Sequence, residues 1–140
     1  MLPPPAAAAA PAAVQASTRV ADIDKVAPSD VVAPSPNVAP ALRAYSGVWS
    51  GQWDNTFAVA IIVRSIEPDG AVNITYRWVE RLGDGFSQLE ATGKIEDGTL
   101  YFGPNRHELK LAPENPMMAN GRLNVRSRNI VRTSSFRKVT

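Results

Sequence analysis

Residues 71–80 read AVNITYRWVE and show the clearest alternation in the chain. Apolar or aromatic side chains stand at every second position from Val72 to Trp78, and polar side chains fill the positions between them. A period of two is typical of a β-strand that buries one face and leaves the other face in water. Because residues 87–96 and 106–111 alternate in the same way, we predict a sheet in which each strand has one buried face.

Turn sequences separate the strand-like runs. Asp-Gly or Asn-Gly pairs occur at 69–70, 84–85, 97–98 and 120–121, and such pairs tolerate the positive backbone angles of tight hairpins. The predicted strands are 47–54, 57–66, 71–80, 86–96, 99–103, 106–112, 121–127 and 129–138. The run 57–66 is apolar on both faces, which indicates a strand covered outside as well as inside. Strands joined by hairpins predict an all-β fold, a small up-and-down antiparallel eight-stranded barrel, because closure removes exposed edges.

The chain before the barrel has a different composition. Residues 1–45 contain most of the 12 prolines, no glycine and a single aromatic residue, Tyr45. With so little side-chain area to bury, they predict a disordered Ala/Pro-rich tether or a processed leader, followed by the barrel domain at 46–140. The apolar spacing around Ile23 allows a short helix over 18–26, either as a weakly ordered segment or as an arm that docks on a partner.

Targeting signals and redox chemistry give further bounds. Val14-Gln15-Ala16 before Ser17 resembles a signal cleavage site, although no Lys or Arg precedes the alanine run and prolines interrupt it. We expect an exported or periplasmic protein, with a piece cut from a longer precursor as the alternative. The sequence contains no run of 18 apolar residues, so it predicts no membrane span. The absence of cysteine excludes disulfides and thiolate metal sites.

The first predicted strand carries a short motif. Gly47-Val48-Trp49 directly follows the tether, and a Gly-x-Trp here, followed by an eight-strand meander, resembles the calycin superfamily of lipocalins, fatty-acid-binding proteins and avidins. The resemblance implies that Trp49 packs across the closed end of the barrel, with Arg137, or Arg132 in another register, over its ring. Gly51-Gln52-Trp53 repeats the spacing, and the doubled form also looks like small barrel domains of exported bacterial proteins. Avidin-like biotin contacts cannot be mapped onto this sequence, so biotin binding is not carried over.

The barrel interior has two possible states. A barrel of eight strands is either filled by its own side chains or holds one small ligand. The predicted inward set is Trp49, Trp53, Val59, Ile61, Val63, Ile74, Tyr76, Trp78, Leu89, Ile95, Leu100, Phe102, His107, Leu109, Leu111, Leu123, Val125 and Phe136. If a pocket exists, we expect Trp53, Tyr76, Trp78 and Phe102 as its walls and His107 as the polar group that orients the ligand. Such walls suit a planar or lipidic apolar molecule and require no cofactor.

His107 is the only histidine, and the sequence supplies no partners for it. The string His107-Glu108-Leu109-Lys110-Leu111 begins like a zinc-protease helix, but Leu stands where the second ligand is needed, so we predict no metal site. No serine lies in a Gly-x-Ser-x-Gly elbow, and we assign no catalytic residue. We therefore interpret His107 as a buried or rim histidine.

Charge is distributed unevenly along the barrel. Residues 106–140 carry 8 basic and 2 acidic side chains, a net +6, within a chain whose total is +2. The predicted basic strands contain Arg122, Arg126, Arg128, Arg132, Arg137 and Lys138. They form either a solvated face or a surface for an acidic protein or membrane; nucleic acid is disfavoured because surface aromatics are not interleaved. Met117 and Met118 lie in the predicted loop 112–119, which either covers a barrel mouth or contacts a protein partner.

Three functions from different classes are consistent with these features. The leading interpretation is a non-catalytic binding module that takes a small apolar or aromatic ligand at the mouth of the barrel. The first alternative is a protein-interaction or inhibitor-like accessory barrel with a filled core. The second alternative is a cofactor-free cyclase or isomerase in which Tyr76 or His107 handles a proton inside the barrel.

Overall fold

The computed structural model describes residues 18–79, 85–125 and 130–139. The strands are β1 Gly47–Trp53, β2 Phe57–Ile66, β3 Ala71–Trp78, β4 Ser87–Glu96, β5 Thr99–Phe102, β6 Arg106–Ala112, β7 Asn115–Val125 and β8 Ile130–Lys138. Each strand pairs antiparallel with the next, and β8 pairs with β1. The prediction of a closed, up-and-down eight-stranded barrel is confirmed.

Side chains complete the seam between β1 and β8. The ladder between the two strands covers Trp49–Gly51, and a backbone hydrogen bond flanks it on each side, from the Val139 N–H to the Val48 carbonyl oxygen at 2.9 Å and from the Asp54 N–H to the Thr133 carbonyl oxygen at 2.8 Å. Beyond that point, the backbone N–H of Gln52 donates to the Ser134 hydroxyl at 2.9 Å, and the backbone N–H of Thr133 donates to the Asp54 carboxylate at 3.2 Å. These bonds satisfy backbone groups that a longer ladder would otherwise pair.

The inward face of the barrel forms one apolar core. It contains Val38, Tyr45, Trp49, Trp53, Val59, Ile61, Val63, Ile66, Val72, Ile74, Tyr76, Ile95, Leu100, Phe102, Leu109, Ala119, Leu123 and Phe136. Trp78, Leu89, Leu111 and Val125 are half-buried and pack against this core, and His107 is buried. The predicted inward set therefore agrees with the structure.

Strand β7 corrects the prediction for the region around Asn120-Gly121. The pair lies inside β7 and forms no turn, because the chain reverses at Pro113–Glu114 instead. Gly121 is buried, and a Cβ at this position would lie 2.3 Å from Cε2 of the Phe136 ring. The glycine is thus required by a close contact with the neighbouring strand β8. The predicted loop 112–119 is mostly strand, in which Met117 is exposed and Met118 half-buried.

Residues 18–39, here called the arm, lie along the outside of the barrel. The arm contains two short 3₁₀ turns, Val20–Asp22 and Pro28–Asp30, and the first of them stands where a short helix over 18–26 was expected. Ile23 is buried with Ala60, Val79 and Phe86 from the outer face of the sheet. The arm therefore covers β2, which explains why that strand is apolar on both faces. From residue 18 onward, the predicted tether packs on the barrel and does not extend freely.

One end of the barrel is closed by the segment that follows the arm. A short helix, α1 Pro40–Arg43, leads to Tyr45, which is 2% exposed and whose hydroxyl donates to the Gly98 carbonyl oxygen at 2.7 Å. Burial raises the pKa of Tyr45, so this phenol stays protonated and remains a donor. Val38 is buried at the same end and joins the barrel core. We call this end the closed end.

Trp49 lies across the closed end, and its cation partner differs from the one expected. The indole Nε1 of Trp49 donates to the Tyr45 carbonyl oxygen at 3.0 Å. Lys138 lies opposite Trp49 in the strand pairing, with its Nζ 5.1 Å from the centroid of the Trp49 ring. The same Nζ donates to the Ala44 carbonyl oxygen at 2.7 Å. The expectation for Arg137 is wrong, because successive side chains of a strand point to opposite faces and Arg137 points outward.

Candidate functional site

Five aromatic side chains lie together at the end of the barrel opposite the closed end. This mouth cluster consists of Trp53, Tyr76, Trp78, Phe102 and His107. Trp53, Trp78 and Phe102 are the last residues of β1, β3 and β5. Because alternate strands of a meander end at the same rim, these inward positions converge. The structure thus brings together all the residues predicted as pocket walls.

Tyr76 lies at the centre of the mouth cluster. Its ring stacks on Trp78 at a centroid distance of 5.2 Å and meets the edge of His107 at 4.5 Å and of Phe102 at 5.5 Å. The indole Nε1 of Trp53 donates a hydrogen bond to the Tyr76 hydroxyl at 2.9 Å. Contacts this close leave no space for a ligand between these pairs of rings. The inner part of the cluster is filled by its own side chains.

His107 is held neutral by its surroundings. It is 3% exposed and stacks on Phe102 with a centroid distance of 4.5 Å and an interplanar angle of 10°. Its Nδ1 lies 3.4 Å from the Asn105 carbonyl oxygen, which can only accept a hydrogen bond. Burial lowers the pKa of His107 to about 4 and outweighs the opposing hydrogen bonds to the backbone of Asn105 and Phe102. The imidazole is therefore uncharged at neutral pH.

Tyr76 is also uncharged. Burial raises its pKa well above the ordinary value, although the bond from Trp53 and the positive charge of Arg132 act in the opposite direction. With both titratable groups neutral, the centre of the mouth cluster is an apolar environment that contains a few oriented dipoles.

The rings of the mouth cluster differ in exposure. Of the five rings, only Trp78 is half-buried, and the other four are buried. Phe57 and Val125, also half-buried, pack on the core at this end. At the rim, Arg132 lies 5.4 Å above the Phe57 ring and forms a 3.0 Å ion pair with Asp54. Trp78 is therefore the most exposed ring of the mouth cluster.

The basic residues that the structure describes on the predicted basic strands do not share one surface. Arg132 pairs with Asp54 at the mouth, and Lys138 covers Trp49 at the closed end. Arg122 and Arg137 are exposed on the outer face of β7 and β8. Arg126 and Arg128 lie outside the described residues. The expectation of a single basic sector is thus corrected, because alternation along a strand divides neighbouring cations between two faces.

Sequence reasoning missed several residues that support the mouth and the closed end. Tyr45 was visible only as the single aromatic in a proline-rich segment, and Ile23 only as part of a weak apolar spacing. Arg77 occupied an ordinary outward position in the alternation, yet it is 9% exposed beneath the arm. In the described part of the chain, no three His, Asp or Glu side chains are grouped to hold a metal ion, and no helix is long and apolar enough to cross a membrane.

Comparisons with protein-family models, with curated proteins and with solved structures find no match for this chain. The closed antiparallel barrel of eight strands is compatible with a calycin-like fold. The assignment of a site therefore depends on the geometry of this chain alone.

Proposed function

We propose that this chain is a calycin-like, non-catalytic binding module that takes a small apolar or aromatic ligand at the mouth of its barrel. The observation that carries the proposal is the asymmetry between the two ends. One end is closed by Tyr45 and α1, whereas the other end presents an aromatic cluster with Trp78 half-buried at its edge. An aromatic surface at the accessible end of a barrel is a common form of small-molecule site.

The calycin-like part of the proposal rests on the closed end. Trp49 is fully buried across that end, with Lys138 over its ring, which is the arrangement that the Gly-x-Trp resemblance implies with lysine in place of arginine. A cation over indole stabilises the pair by roughly 0.5 to 2 kcal/mol. This closure leaves the mouth as the entrance.

The ligand class follows from the residues around Trp78. The indole stacks on Tyr76 with an interplanar angle of 17°, and stacked aromatic rings at a rim suit a ligand with a flat ring or an alkyl chain. The neutral pair of Tyr76 and His107 adds dipoles without charge. We therefore expect an uncharged, largely apolar ligand.

The same geometry supports binding more than proton transfer. A general base is most effective when its pKa lies near the working pH, whereas burial lowers the pKa of His107 to about 4 and raises that of Tyr76. The Tyr76 hydroxyl also accepts the Trp53 hydrogen bond. These features favour the binding interpretation over the cyclase or isomerase alternative.

The experiment titrates Nile red, an uncharged planar apolar probe, into wild type and two variants. Trp78→Ala removes the half-buried ring at the mouth, and we expect it to weaken probe binding about tenfold, since one stacked ring contributes roughly 1 to 1.5 kcal/mol. Tyr101→Ala is the matched control, because Tyr101 is a half-buried aromatic on the outer face of β5, beneath Arg106. It should bind the probe as wild type does. Equal loss in both variants, or no binding by wild type, contradicts the proposal.

A further inference from the structure

The arm touches the mouth from the outside. The carbonyl oxygen of Thr18 accepts a 2.8 Å hydrogen bond from the backbone N–H of Phe86. Phe86 directly precedes Ser87, which pairs with Trp78 across β3 and β4. Gly85 fits so closely against the arm that a Cβ there would lie 2.4 Å from the Thr18 carbonyl oxygen. The start of the arm therefore contacts the strand edge whose inner side carries Trp78.

Arg77 connects the arm to the same edge. It stands between Tyr76 and Trp78 in β3, but its side chain points outward and is buried under the arm. One guanidinium nitrogen, Nη1, donates to the carbonyl oxygens of Ile23 and Lys25 at 3.1 and 2.8 Å. A buried guanidinium needs acceptors for its donors, and the arm backbone supplies two of them.

Arg77 also contacts the strand that follows. Its Nε donates to the Gln88 side-chain oxygen at 2.8 Å, and its guanidinium lies 5.0 Å from the centroid of the Phe86 ring. Ile23 from the arm packs in the same small apolar cluster as Val79 and Phe86. One residue thus bonds simultaneously to the arm, to β4 and, through its own backbone, to the mouth strand.

We propose that residues 18–25 of the arm position the β3–β4 edge at the mouth, so that docking or release of the arm controls ligand access to Trp78. The consequence for ligand access rests on the proposed function, whereas the positioning of the edge does not. This part of the arm is held by the buried Ile23 with Val20 packed beside it, by the Arg77 bonds and by the Thr18–Phe86 bond. Because Arg77 and Phe86 contact both the arm and the β3–β4 edge, undocking of the arm removes contacts from the edge as well.

The experiment compares two substitutions within the arm of the full-length chain. Ile23→Ala removes the buried side chain but keeps the backbone carbonyl oxygen that accepts from Arg77, and Val32→Ala is the matched control because Val32 is 60% exposed. Hydrogen exchange is measured over residues 86–89, and Nile red affinity is measured in parallel. We expect Ile23→Ala to speed exchange of 86–89 roughly tenfold and to weaken probe binding about three- to tenfold through lost preorganisation. Val32→Ala should leave both values unchanged.

The outcomes separate this inference from the proposed function. Faster exchange in 18–25 alone, with 86–89 unchanged, overturns the positioning role. Faster exchange in 86–89 with unchanged probe affinity overturns control of the mouth. If wild type binds no probe, the proposed function fails, and the exchange of 86–89 alone decides whether the arm positions the edge. Should Ile23→Ala fail to fold, Ile23→Val must give smaller changes in the same direction.

Discussion

The burial of a neutral His107 leads us to predict that the folded protein loses stability at mildly acidic pH. Because burial lowers its pKa from 6.5 to about 4 in the folded protein, the unfolded chain takes up a proton at a higher pH than the folded protein does. The folded state is therefore penalised as pH falls below about 6.5, and the penalty stops growing near pH 4. At 1.36 kcal/mol per pKa unit, the full effect is about 3 kcal/mol, and the loss between pH 7 and pH 5 is about 2 kcal/mol.

The assay is urea unfolding followed by tryptophan fluorescence at pH 7 and at pH 5. The comparison isolates one group, because the chain contains a single histidine and ordinary carboxyl groups titrate mostly below pH 5. The control is His107→Gln, which removes the titrating imidazole and should lose less than about 0.5 kcal/mol over the same interval. An equal loss of stability in wild type and His107→Gln, or no loss in wild type, refutes the description of His107 as a buried neutral ring.

Two further predictions concern the barrel itself. Gly121→Ala should destabilise the fold by about 1 to 3 kcal/mol because its Cβ would meet the buried Phe136 ring; thermal unfolding checks this, and an unchanged midpoint contradicts the contact. In a Phe136→Leu background the same substitution should cost clearly less, as a double-mutant cycle would measure. Tyr45→Phe removes the hydroxyl that donates to the Gly98 carbonyl oxygen and should cost about 1 kcal/mol in chemical unfolding. A cost near zero would mean that this bond does not contribute to the closed end.

The strands could be predicted because local rules and the fold agree there. The alternation in β3 and β4 and the Asp97-Gly98 turn between β4 and β5 each determine structure within a few residues. The prediction of a turn at Asn120-Gly121 was wrong because a dipeptide typical of turns also fits inside a strand. Here the Phe136 ring of the neighbouring strand occupies the space that a side chain at position 121 would need. That contact joins residues distant in sequence, so no local pattern reports it.

The sequence was enough to predict which residues form the candidate site, but not how closely their rings pack. Trp53, Tyr76, Trp78 and Phe102 could be grouped because the alternation places them on the inward face, near the ends of alternate strands. The close ring contacts between them depend on the tilt and closure of the barrel, which a linear pattern does not contain. The choice of Lys138 in place of Arg137 at Trp49 likewise depends on a register difference of one residue.

The arm was the largest departure from the sequence interpretation. The mean composition of residues 1–45 hides a few side chains that are buried in the structure, among them Ile23, Val38 and Tyr45. Composition predicts disorder from the mean, whereas docking depends on these few anchors and on the apolar outer face of β2. The doubly apolar run 57–66 indicated a cover, but it could not identify what covers the strand.

The central claim is that the mouth binds a small apolar ligand, and native mass spectrometry of the protein purified from its own host tests it most directly. Tryptophan emission is recorded before and after organic extraction, because Trp53 and Trp78 lie in the mouth cluster. We expect a small bound molecule whose extraction shifts the emission and that rebinds wild type more tightly than Trp78→Ala. A mass without any bound molecule, unchanged emission after extraction and no uptake of Nile red would together contradict it.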